Sequence, residues 1–360
     1  MITYPTLFIF FGMLAYISEY RKPAASTNLQ SLSWNPLWLA IFFFLIFFIG
    51  LRHEVGGDWF SYLIYFNELK VSTLANGFSL TSDPGYLFLN WFVASNGLSI
   101  YVVNFIGAIF FSFGLVTFCR SLPRPLLGLV ASIPYLIIVV SMGYTRQAIA
   151  LGIAMYGLVQ LAREKRYKFI ILILFATTFH KSAIILIPIA ALAATKNRFS
   201  IIFWVLMIGL AAYYSALSSQ FERLIRFYIE ESYQSQGALI RLIMLLVPSV
   251  LLLLWPHRFS FEKSELLLWK IFSIISLSLF LLYFTTDAST AIDRMALYLL
   301  PIQMVVFSYL PEFFGNHGPQ RQWIVLGIII YFSLVLLVWI SFSPFSHWWI
   351  PYDNLLLNWK

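Results

Sequence analysis

Long uncharged apolar runs, repeated along almost the whole chain, constrain its fold more than any other feature of the sequence. A helix needs about 20 residues to cross the roughly 30 Å hydrocarbon core of a bilayer, and many of these runs approach that length. Helices suit such runs because every backbone amide in hydrocarbon must bond within the protein. A content of 61% hydrophobic residues and a mean hydropathy of +0.83 exclude a soluble globular protein. We therefore predict an all-α, polytopic integral membrane protein with one domain, residues 1–360.

The apolar runs predict about twelve transmembrane helices, with a range of about 10 to 13. The predicted spans are 2–20, 34–51, 99–119, 125–142, 146–162, 168–180, 182–195, 199–217, 238–256, 265–284, 293–311 and 322–342. The segment 168–195 is irregular because His180 and Lys181 interrupt it. One long helix would leave both side chains near the middle of the bilayer. We therefore predict a hairpin of two short helices that meet at His180, where irregular backbone lines a cavity.

Arg21 and Lys22 follow the first apolar run and define the predicted orientation. If they are cytoplasmic, the N-terminus lies outside and the spans alternate from there. The cytoplasmic side then holds 14 of the 23 basic residues but only 5 of the 15 acidic ones. This is the positive-inside pattern of multi-pass membrane proteins. The net charge of +8 therefore reflects topology, and we expect no nucleic-acid partner.

The segments assigned to the outer side differ from the short basic links of the cytoplasmic side. The first of them, residues 52–98, has apolar residues at helical spacing, which predicts an amphipathic helix in the interface. These residues are Trp59, Tyr62, Leu63 and Phe66. Residues 86–95 are too short to span and predict a second interfacial or re-entrant helix. Residues 218–237 form a second outer loop, and the aromatic tail 347–352 predicts an interfacial anchor.

Ionisable side chains stand at helix ends where a membrane protein normally avoids them. On the predicted topology they all lie at the outer boundary: Arg52, Arg146, His180, Lys181, Arg241, Asp293 and Arg294. Such groups cost several kcal/mol in or beside hydrocarbon unless they are paired or wetted, so they indicate a functional cavity. Any one arginine could instead extend to a lipid headgroup. Five helix ends with charge on the face that the positive-inside rule disfavours point to an anionic ligand that approaches from outside.

The stretch from Leu51 to Tyr62 concentrates polar chemistry around a Gly56-Gly57 turn. Arginine forks suit phosphate or diphosphate oxygens. Carboxylates and histidine accept a proton readily near neutral pH, so the candidates for a general base are Asp58, Glu54 and His180. Asp58 could also simply cap the helix that begins at Trp59, and His180 could be a buried histidine at a kink.

A metal site has weaker support in the sequence. His53, Glu54 and Asp58 could bind a divalent ion, but they lack the fixed ligand spacing of a known metal loop. The single cysteine, Cys119, excludes a disulfide framework and a cysteine-based metal site. We therefore expect no metal and no cofactor.

Five short motifs follow one another along the chain. They are Leu51-Arg52 with Val55-Gly56-Gly57-Asp58, Tyr62 and Phe66; Asp83-Pro84-Gly85-Tyr86; Arg146-Gln147-Ala148-Ile149-Ala150; Phe179-His180-Lys181-Ser182-Ala183; and Asp293-Arg294 with Tyr298. In this order, and over nearly the whole chain, they resemble the motifs of the EpsG/Wzy-type family of O-antigen and exopolysaccharide polymerases. The sequence departs from the family pattern at Asp83, where Glu is usual, and at Gly57, where a hydroxyl residue often stands.

The resemblance implies a membrane glycosyltransferase in the bacterial inner membrane, with its active site facing outside. Such an enzyme transfers a growing glycan from undecaprenyl diphosphate to a hydroxyl of the next lipid-linked repeat unit and releases undecaprenyl diphosphate. The expected partners are the undecaprenyl-diphosphate-linked glycan and membrane lipid, with a chain-length regulator as a further one that the resemblance implies.

Glycosyl transfer of this kind needs fixed positive charge at the leaving group and a base near the acceptor hydroxyl. The diphosphate ligands that we expect are Arg52, Arg146 and Arg294, with assistance from Arg241. The base is expected to be Asp58 or His180, with Glu54 as a further candidate. The other expected substrate contacts are Tyr62, Gln147, Asp83 and Tyr298.

Two functions from other classes remain compatible with the residue types. A flippase or transporter of lipid-linked sugars would also need a cationic cavity, but it should show internal repeats with helices interrupted near mid-bilayer. A glycan ligase or membrane-bound O-acyltransferase would use a similar outer site. Product analysis separates a polymerase from a ligase, because loss of a polymerase leaves single repeat units still attached to their acceptor.

Overall fold

The structure is a computed structural model that describes residues 2–20, 34–71, 74–77, 83–194, 237–285, 289–314 and 318–356. Within these ranges all regular elements are helical, which confirms the predicted all-α class. Five described helices are long and apolar enough to cross a membrane, and shorter apolar helices accompany them. The chain is thus a polytopic membrane protein, while the total of about twelve crossings stays a prediction.

Contacts divide the chain into two compact units, which we describe separately. The first unit comprises Met1–Ala183 and Phe307–Lys360, and the second comprises Ile184–Val306. The prediction of one domain is not tested by this division and stays a prediction. The predicted span 199–217 and all of the loop 218–237 except Gly237 lie outside the described residues.

The first unit contains most of the helices that carry the family motifs. Its helices are α1 (Thr3–Tyr20), α2 (Pro36–Gly50), α3 (Trp59–Val71), α4 (Leu74–Gly77), α5 (Pro84–Ser95), α6 (Ile100–Arg120), α7 (Pro125–Gly143), α8 (Thr145–Ala162) and α9 (Arg166–Phe179). The second unit contains α10 (Leu186–Ala194), α11 (Ala238–Leu254), α12 (Lys263–Tyr283) and α13 (Ser289–Ala296). Helix α14 (Pro301–Phe314) begins in the second unit and ends in the first, which also contains α15 (Gly318–Phe342).

Helices α6 and α8 pack along one another in the core of the first unit. Gly114 and Gly152 bring their backbones into direct contact, because a β-carbon at either position would overlap the backbone of the opposite helix. This close approach also places two buried polar residues, Asn104 of α6 and Thr145 of α8, within reach of a common partner. The packing therefore fixes the start of α8, where the Arg-Gln motif lies.

Helix α7 is buried along its full length and is not a regular α-helix. Its central part, Ile133–Val140, is π-helical and contains Pro134, which has no N–H to donate. A π-helical turn disturbs the normal pairing of carbonyls with amides four residues further on. The Ile138 carbonyl accepts a hydrogen bond from outside the helix, as described below.

The predicted interruption at His180 is present. Helix α9 ends at Phe179, His180 has an extended backbone with φ −156° and ψ 117°, and a 3₁₀ turn follows over Lys181–Ile185. The motif therefore lies at the end of a helix rather than within one, with Phe179 and His180 buried. A reversal of chain direction at this point stays a prediction, because α10 belongs to the second unit.

The helix predicted from the spacing of aromatic residues is also present, as α3. Its buried side chains are Trp59, Tyr62, Phe66 and Leu69, while Leu63 is half-buried. Helix α5 corresponds to the predicted short helix 86–95. The location of both helices at the membrane interface stays a prediction.

Three residues assigned to the cytoplasmic side meet in one buried ion cluster. Arg124 donates from Nε and Nη2 to the Glu19 carboxylate at 2.9 and 3.0 Å, and its Nη1 lies 3.2 Å from Glu312 Oε1. The same Nη1 donates to the Ser308 carbonyl at 3.2 Å. The cluster joins the end of α1, the start of α7 and the end of α14, and the location of these helix ends on the cytoplasmic side stays a prediction.

Candidate functional site

Arg52 is a buried arginine that holds several elements together. Its guanidinium donates from Nη1 to the Ile49 carbonyl at 2.8 Å and from Nε to the Val55 carbonyl at 3.2 Å. Its Nη2 donates to Thr145 Oγ1 at 2.9 Å and to Asn104 Oδ1 at 3.3 Å. Only 1% of the residue is exposed, and burial lowers its pKa to about 10, so it stays charged at neutral pH. These contacts are all with protein, and contact of Arg52 with a diphosphate stays a prediction.

The turn after Arg52 packs closely against the end of α7. Gly56 has φ +109°, and a β-carbon there would overlap the Met142 carbonyl. Glycine is the residue that tolerates both the conformation and the close approach. The turn therefore fixes the backbone just before Asp58 and the start of α3.

Asp58 is half-buried and faces its own helix. Its carbonyl accepts a hydrogen bond from the Tyr62 N–H at 2.9 Å, and its Oδ2 lies 3.5 Å from the Tyr62 hydroxyl. Burial and then the Asp58 carboxylate raise the pKa of Tyr62 to about 12. Tyr62 is therefore a neutral phenol at neutral pH, with a proton to donate toward Asp58.

Glu54 and His53 lie at the exposed edge of the same turn. His53 Nε2 is 3.9 Å from Glu54 Oε1, and its Nδ1 is within hydrogen-bond distance of the Tyr101 hydroxyl. More than half of the Glu54 side chain is exposed. In the described ranges no group of three His, Cys, Asp or Glu side chains is placed to hold a metal, and the expectation of no metal stays a prediction.

Arg146 stands between two tyrosine rings at the start of α8. Its Cζ lies 5.8 Å from the ring centre of Tyr62 and 5.9 Å from that of Tyr86, both within the range of cation–π attraction. It also donates a hydrogen bond to the Tyr62 hydroxyl. The ring of Tyr65 stacks on Tyr86 with centroids 6.0 Å apart, and the buried Tyr65 hydroxyl has no hydrogen-bond partner in the part of the chain that the structure describes.

Asp83 forms an ion pair that holds the guanidinium of Arg146 in place. Arg146 Nη1 lies 3.0 Å from Asp83 Oδ2, and 6% of the Asp83 side chain is exposed against 35% of that of Arg146. Burial raises the pKa of Asp83, although Arg146 and Lys181 oppose this shift. A buried acid therefore anchors an arginine whose side chain is about one-third exposed.

The Asp83 carboxylate also contacts the backbone at the interruption that follows α9. The backbone N–H of Lys181 donates to Asp83, and Gly85 packs so closely on Thr178 that a β-carbon at Gly85 would overlap its side chain. His180 is 9% exposed. The structure thus brings the acidic-Pro-Gly-aromatic step, the Arg-Gln helix start and the Phe-His element together in one unit.

Gln147 follows Arg146 and points into protein. It is buried, and among the described residues its Nε2 has no hydrogen-bond partner. Unpaired buried amides are rare because they lose the hydrogen bonds that water would make. Contact of Gln147 with substrate stays a prediction.

The remaining predicted residues lie in the second unit. Arg241 of α11 makes a bidentate ion pair with Asp293 of α13, and both side chains are largely buried. Arg294 is half-buried, and Tyr298 is buried in the 3₁₀ turn that follows α13. Their membership of the Arg146 site stays a prediction.

Sequence reasoning missed the part that the C-terminal segment plays. Residues 348–355 run antiparallel to the turn after α2: the Gly56 N–H donates to the Trp348 carbonyl at 2.8 Å and the His53 N–H to the Asp353 carbonyl at 3.1 Å. The prediction of an interfacial anchor is wrong for Trp349, which is 2% exposed. Its indole N–H donates to the Ile138 carbonyl of the π-helical segment at 2.9 Å, so it lies inside the protein.

Comparisons with known proteins agree with the motif order. A family model described as the EpsG family matches residues 35–354. Searches of curated proteins and of solved structures give no match. The matched range includes every motif discussed above, as well as the C-terminal segment that contacts the Gly56-Gly57 turn.

Proposed function

Because this chain belongs to the EpsG family, which is related to the Wzy-type polysaccharide polymerases, we propose that it joins undecaprenyl-diphosphate-linked oligosaccharide repeat units. The reaction takes place on the outer face of the bacterial cytoplasmic membrane and releases undecaprenyl diphosphate. Family membership supports a polysaccharide-polymerase-like role in a multi-pass membrane protein, and the substrate, reaction and orientation are our proposal.

The observation that carries the proposal is the setting of Arg146. Its guanidinium is anchored by the buried Asp83 and flanked by Tyr62 and Tyr86, yet a third of its side chain is exposed. A fixed, partly exposed guanidinium suits the bidentate recognition of phosphate oxygens. It is already oriented, so it stabilises charge that develops on a leaving diphosphate without reorganisation.

Tyr62 connects this arginine to a candidate base. Its hydroxyl accepts a hydrogen bond from Arg146 and lies 3.5 Å from Asp58 Oδ2. One side chain thus separates the carboxylate from the guanidinium. Of the carboxylates of the turn, Asp58 is the half-buried one and Glu54 the exposed one, so we assign the base to Asp58.

In the proposed step the bond between the anomeric carbon and the diphosphate oxygen breaks. A bond forms between that carbon and the hydroxyl oxygen of the acceptor sugar. The hydroxyl proton passes to the Asp58 carboxylate, and the electron pair of the broken bond stays on the diphosphate beside Arg146. Arg52 acts as a positioning residue, because its contacts join the turn that carries Asp58 to the start of α8.

The test is an in vitro reaction of the purified protein with a lipid-linked repeat unit, read as a ladder of product lengths. We expect a ladder from the wild type, and a loss of about 10²-fold or more in rate for Asp58→Asn, the range of general-base catalysis. Glu54→Gln is the matched control from the same turn and should retain the ladder. A ladder from Asp58→Asn together with its loss in His180→Gln would transfer the base to His180.

The result that overturns the proposed function is equally defined. If correctly folded wild-type protein gives no ladder and instead moves the lipid-linked unit across vesicle membranes, the chain is a flippase. In that case Arg146 would be a headgroup-binding residue rather than part of a catalytic site.

A further inference from the structure

We propose that Trp349 is a positioning residue that holds the Asp58 turn in place against the end of α7, three residues before Arg146 at the start of α8. This inference rests on the proposed function for its kinetic part and on contacts alone for its structural part. The C-terminal segment thus becomes a component of the catalytic site.

The indole of Trp349 fills the space between the two backbones. A β-carbon added at Gly143 would overlap its ring, and one added at Gly57 would lie 3.6 Å from the ring. Gly57 directly precedes Asp58, and Gly143 lies three residues before Arg146. The ring therefore packs against both the backbone that precedes the base and the backbone that precedes the arginine, beside the direct contact of Gly56 with Met142.

Three directional contacts keep the ring in this position. Its indole N–H donates to the Ile138 carbonyl at 2.9 Å, and its backbone carbonyl accepts from the Tyr4 hydroxyl at 2.9 Å. Its ring and that of Trp339 pack in a T-shaped arrangement with their centroids 5.5 Å apart. A planar side chain held at its N–H, its backbone and its edge has little freedom to tilt. Rigid support of this kind is what a catalytic pair needs to remain within about 0.5 Å of its working geometry.

Neighbouring residues bond the same segment to the turn and to the end of α2. The Trp348 carbonyl accepts from the Gly56 N–H, and the Tyr352 hydroxyl donates to the Phe48 carbonyl at 2.8 Å. The Asn354 amide donates to the Phe47 carbonyl at 3.1 Å. Displacement of the segment would therefore release the turn from its support.

Kinetics give the first readout. Trp349→Ala should lower kcat about 10-fold to 10²-fold, the range expected for a misplacement of about 1 Å. KM for the lipid-linked unit should change little, because Arg146 keeps its contacts with Asp83 and Tyr62. Trp349→Phe retains an aromatic ring but loses the hydrogen bond to Ile138, so its kcat should lie between those of the wild type and Trp349→Ala. Trp348→Ala removes a neighbouring, partly exposed indole and serves as the matched control.

A size exchange separates positioning from general destabilisation. Gly143→Ala adds a methyl group where the outer ring of Trp349 lies and should lower kcat by itself. The double variant Gly143→Ala with Trp349→Phe removes the overlapping ring atoms, so its loss should be smaller than the product of the single losses. A general loss of stability would not give this compensation.

Labelling gives a readout that needs no activity. A cysteine at Gly57, in the full chain with the buried Cys119 replaced by alanine, reports access to the turn through its reaction with a maleimide. Trp349→Ala should raise the labelling rate several-fold, and Trp348→Ala should leave it unchanged. Equal rates in all three proteins overturn the inference, whatever the fate of the proposed function.

The combined outcomes are distinct. A wild type without a ladder refutes the proposed function, while the labelling rates still decide whether Trp349 holds the turn. A wild-type ladder with faster labelling but an unchanged kcat in Trp349→Ala refutes the positioning role in catalysis. Faster labelling with a lower kcat and an unchanged KM supports the inference in full.

Discussion

The ion pair between Arg146 and Asp83 permits a quantitative prediction of catalytic coupling. Arg146→Ala removes the donor that we place at the leaving diphosphate, and loss of one such donor costs about 10²-fold to 10³-fold in rate. Asp83→Asn keeps the shape of the anchor but removes its charge. The guanidinium then keeps its tyrosine contacts, so we expect a smaller loss of about 10-fold.

The double variant measures how far Asp83 acts through Arg146. If the acid only orients the arginine, Asp83→Asn should have almost no further effect in the Arg146→Ala protein. The coupling free energy should then be about 1.4 kcal/mol, which corresponds to the tenfold effect of the single change and lies in the range of about 0.5–3 kcal/mol seen for residues in contact. Arg146 is a third exposed, so solvent screening places the coupling in the lower half of that range.

The assay is the initial rate of ladder formation at several concentrations of lipid-linked repeat unit. Arg163→Ala serves as the control, because Arg163 caps the opposite end of the same helix, is exposed, and should keep full activity. Thermal unfolding of each purified variant shows whether a lost rate reflects lost protein. A rate for Arg146→Ala within about twofold of the wild type, or strictly multiplicative effects of the two changes, would refute the reasoning.

Three further predictions follow from the geometry. Arg52→Lys should lower the free energy of unfolding by about 1.5–3 kcal/mol, because it breaks buried hydrogen bonds between a charged group and neutral acceptors, and thermal unfolding should show this even with substrate absent. Gly56→Ala should unfold at a lower temperature than Gly97→Ala, since both have positive φ but only Gly56 lies against other backbone. As the pH is lowered, the rate of ladder formation should begin to fall at a higher pH than it would if the site aspartate had its ordinary pKa. The reason is the raised pKa of Asp83, whose protonation removes the negative partner of Arg146; a pH–rate profile of Asp83→Asn should lack that step.

The fold class and several boundaries could be predicted because each follows from a local pattern. The interruption at His180 follows from two polar residues within an apolar run, and α3 follows from aromatic residues at helical spacing. Both patterns describe short stretches of chain, in which neighbouring residues decide the backbone conformation. Periodicity of this kind is the strongest structural signal that one sequence contains.

The contacts of the site could not be predicted in the same way. The pair of Asp83 and Arg146 joins residues 63 positions apart, and residue type alone does not reveal which acid meets which arginine. Arg52 has the same side chain as Arg146, yet its neighbours Asn104 and Thr145 enclose it. Depth of burial, rather than charge, separates these two arginines, and depth depends on the packing of α6 against α8.

Trp349 shows a second limit of sequence patterns. Aromatic residues near the end of an apolar chain are typical of membrane interfaces, and this pattern predicted an anchor. The indole instead meets a carbonyl of the π-helical segment in α7. The Pro134 in that segment was visible in the sequence, but its effect on the helix depends on the surrounding packing.

The pairing of the turn after α2 with the C-terminal segment has a consequence for biogenesis. The Tyr352 hydroxyl bonds to the Phe48 carbonyl, 304 positions away in the chain. The turn that carries Asp58 therefore gains its contacts with the C-terminal segment only after the ribosome has synthesised that segment. Contacts of such long sequence separation form late and slowly. During membrane insertion the nascent chain therefore passes a period in which the Asp58 turn can have the contacts of Arg52 and Gly56 but not yet those of the C-terminal segment, and completion of the site follows synthesis of that segment.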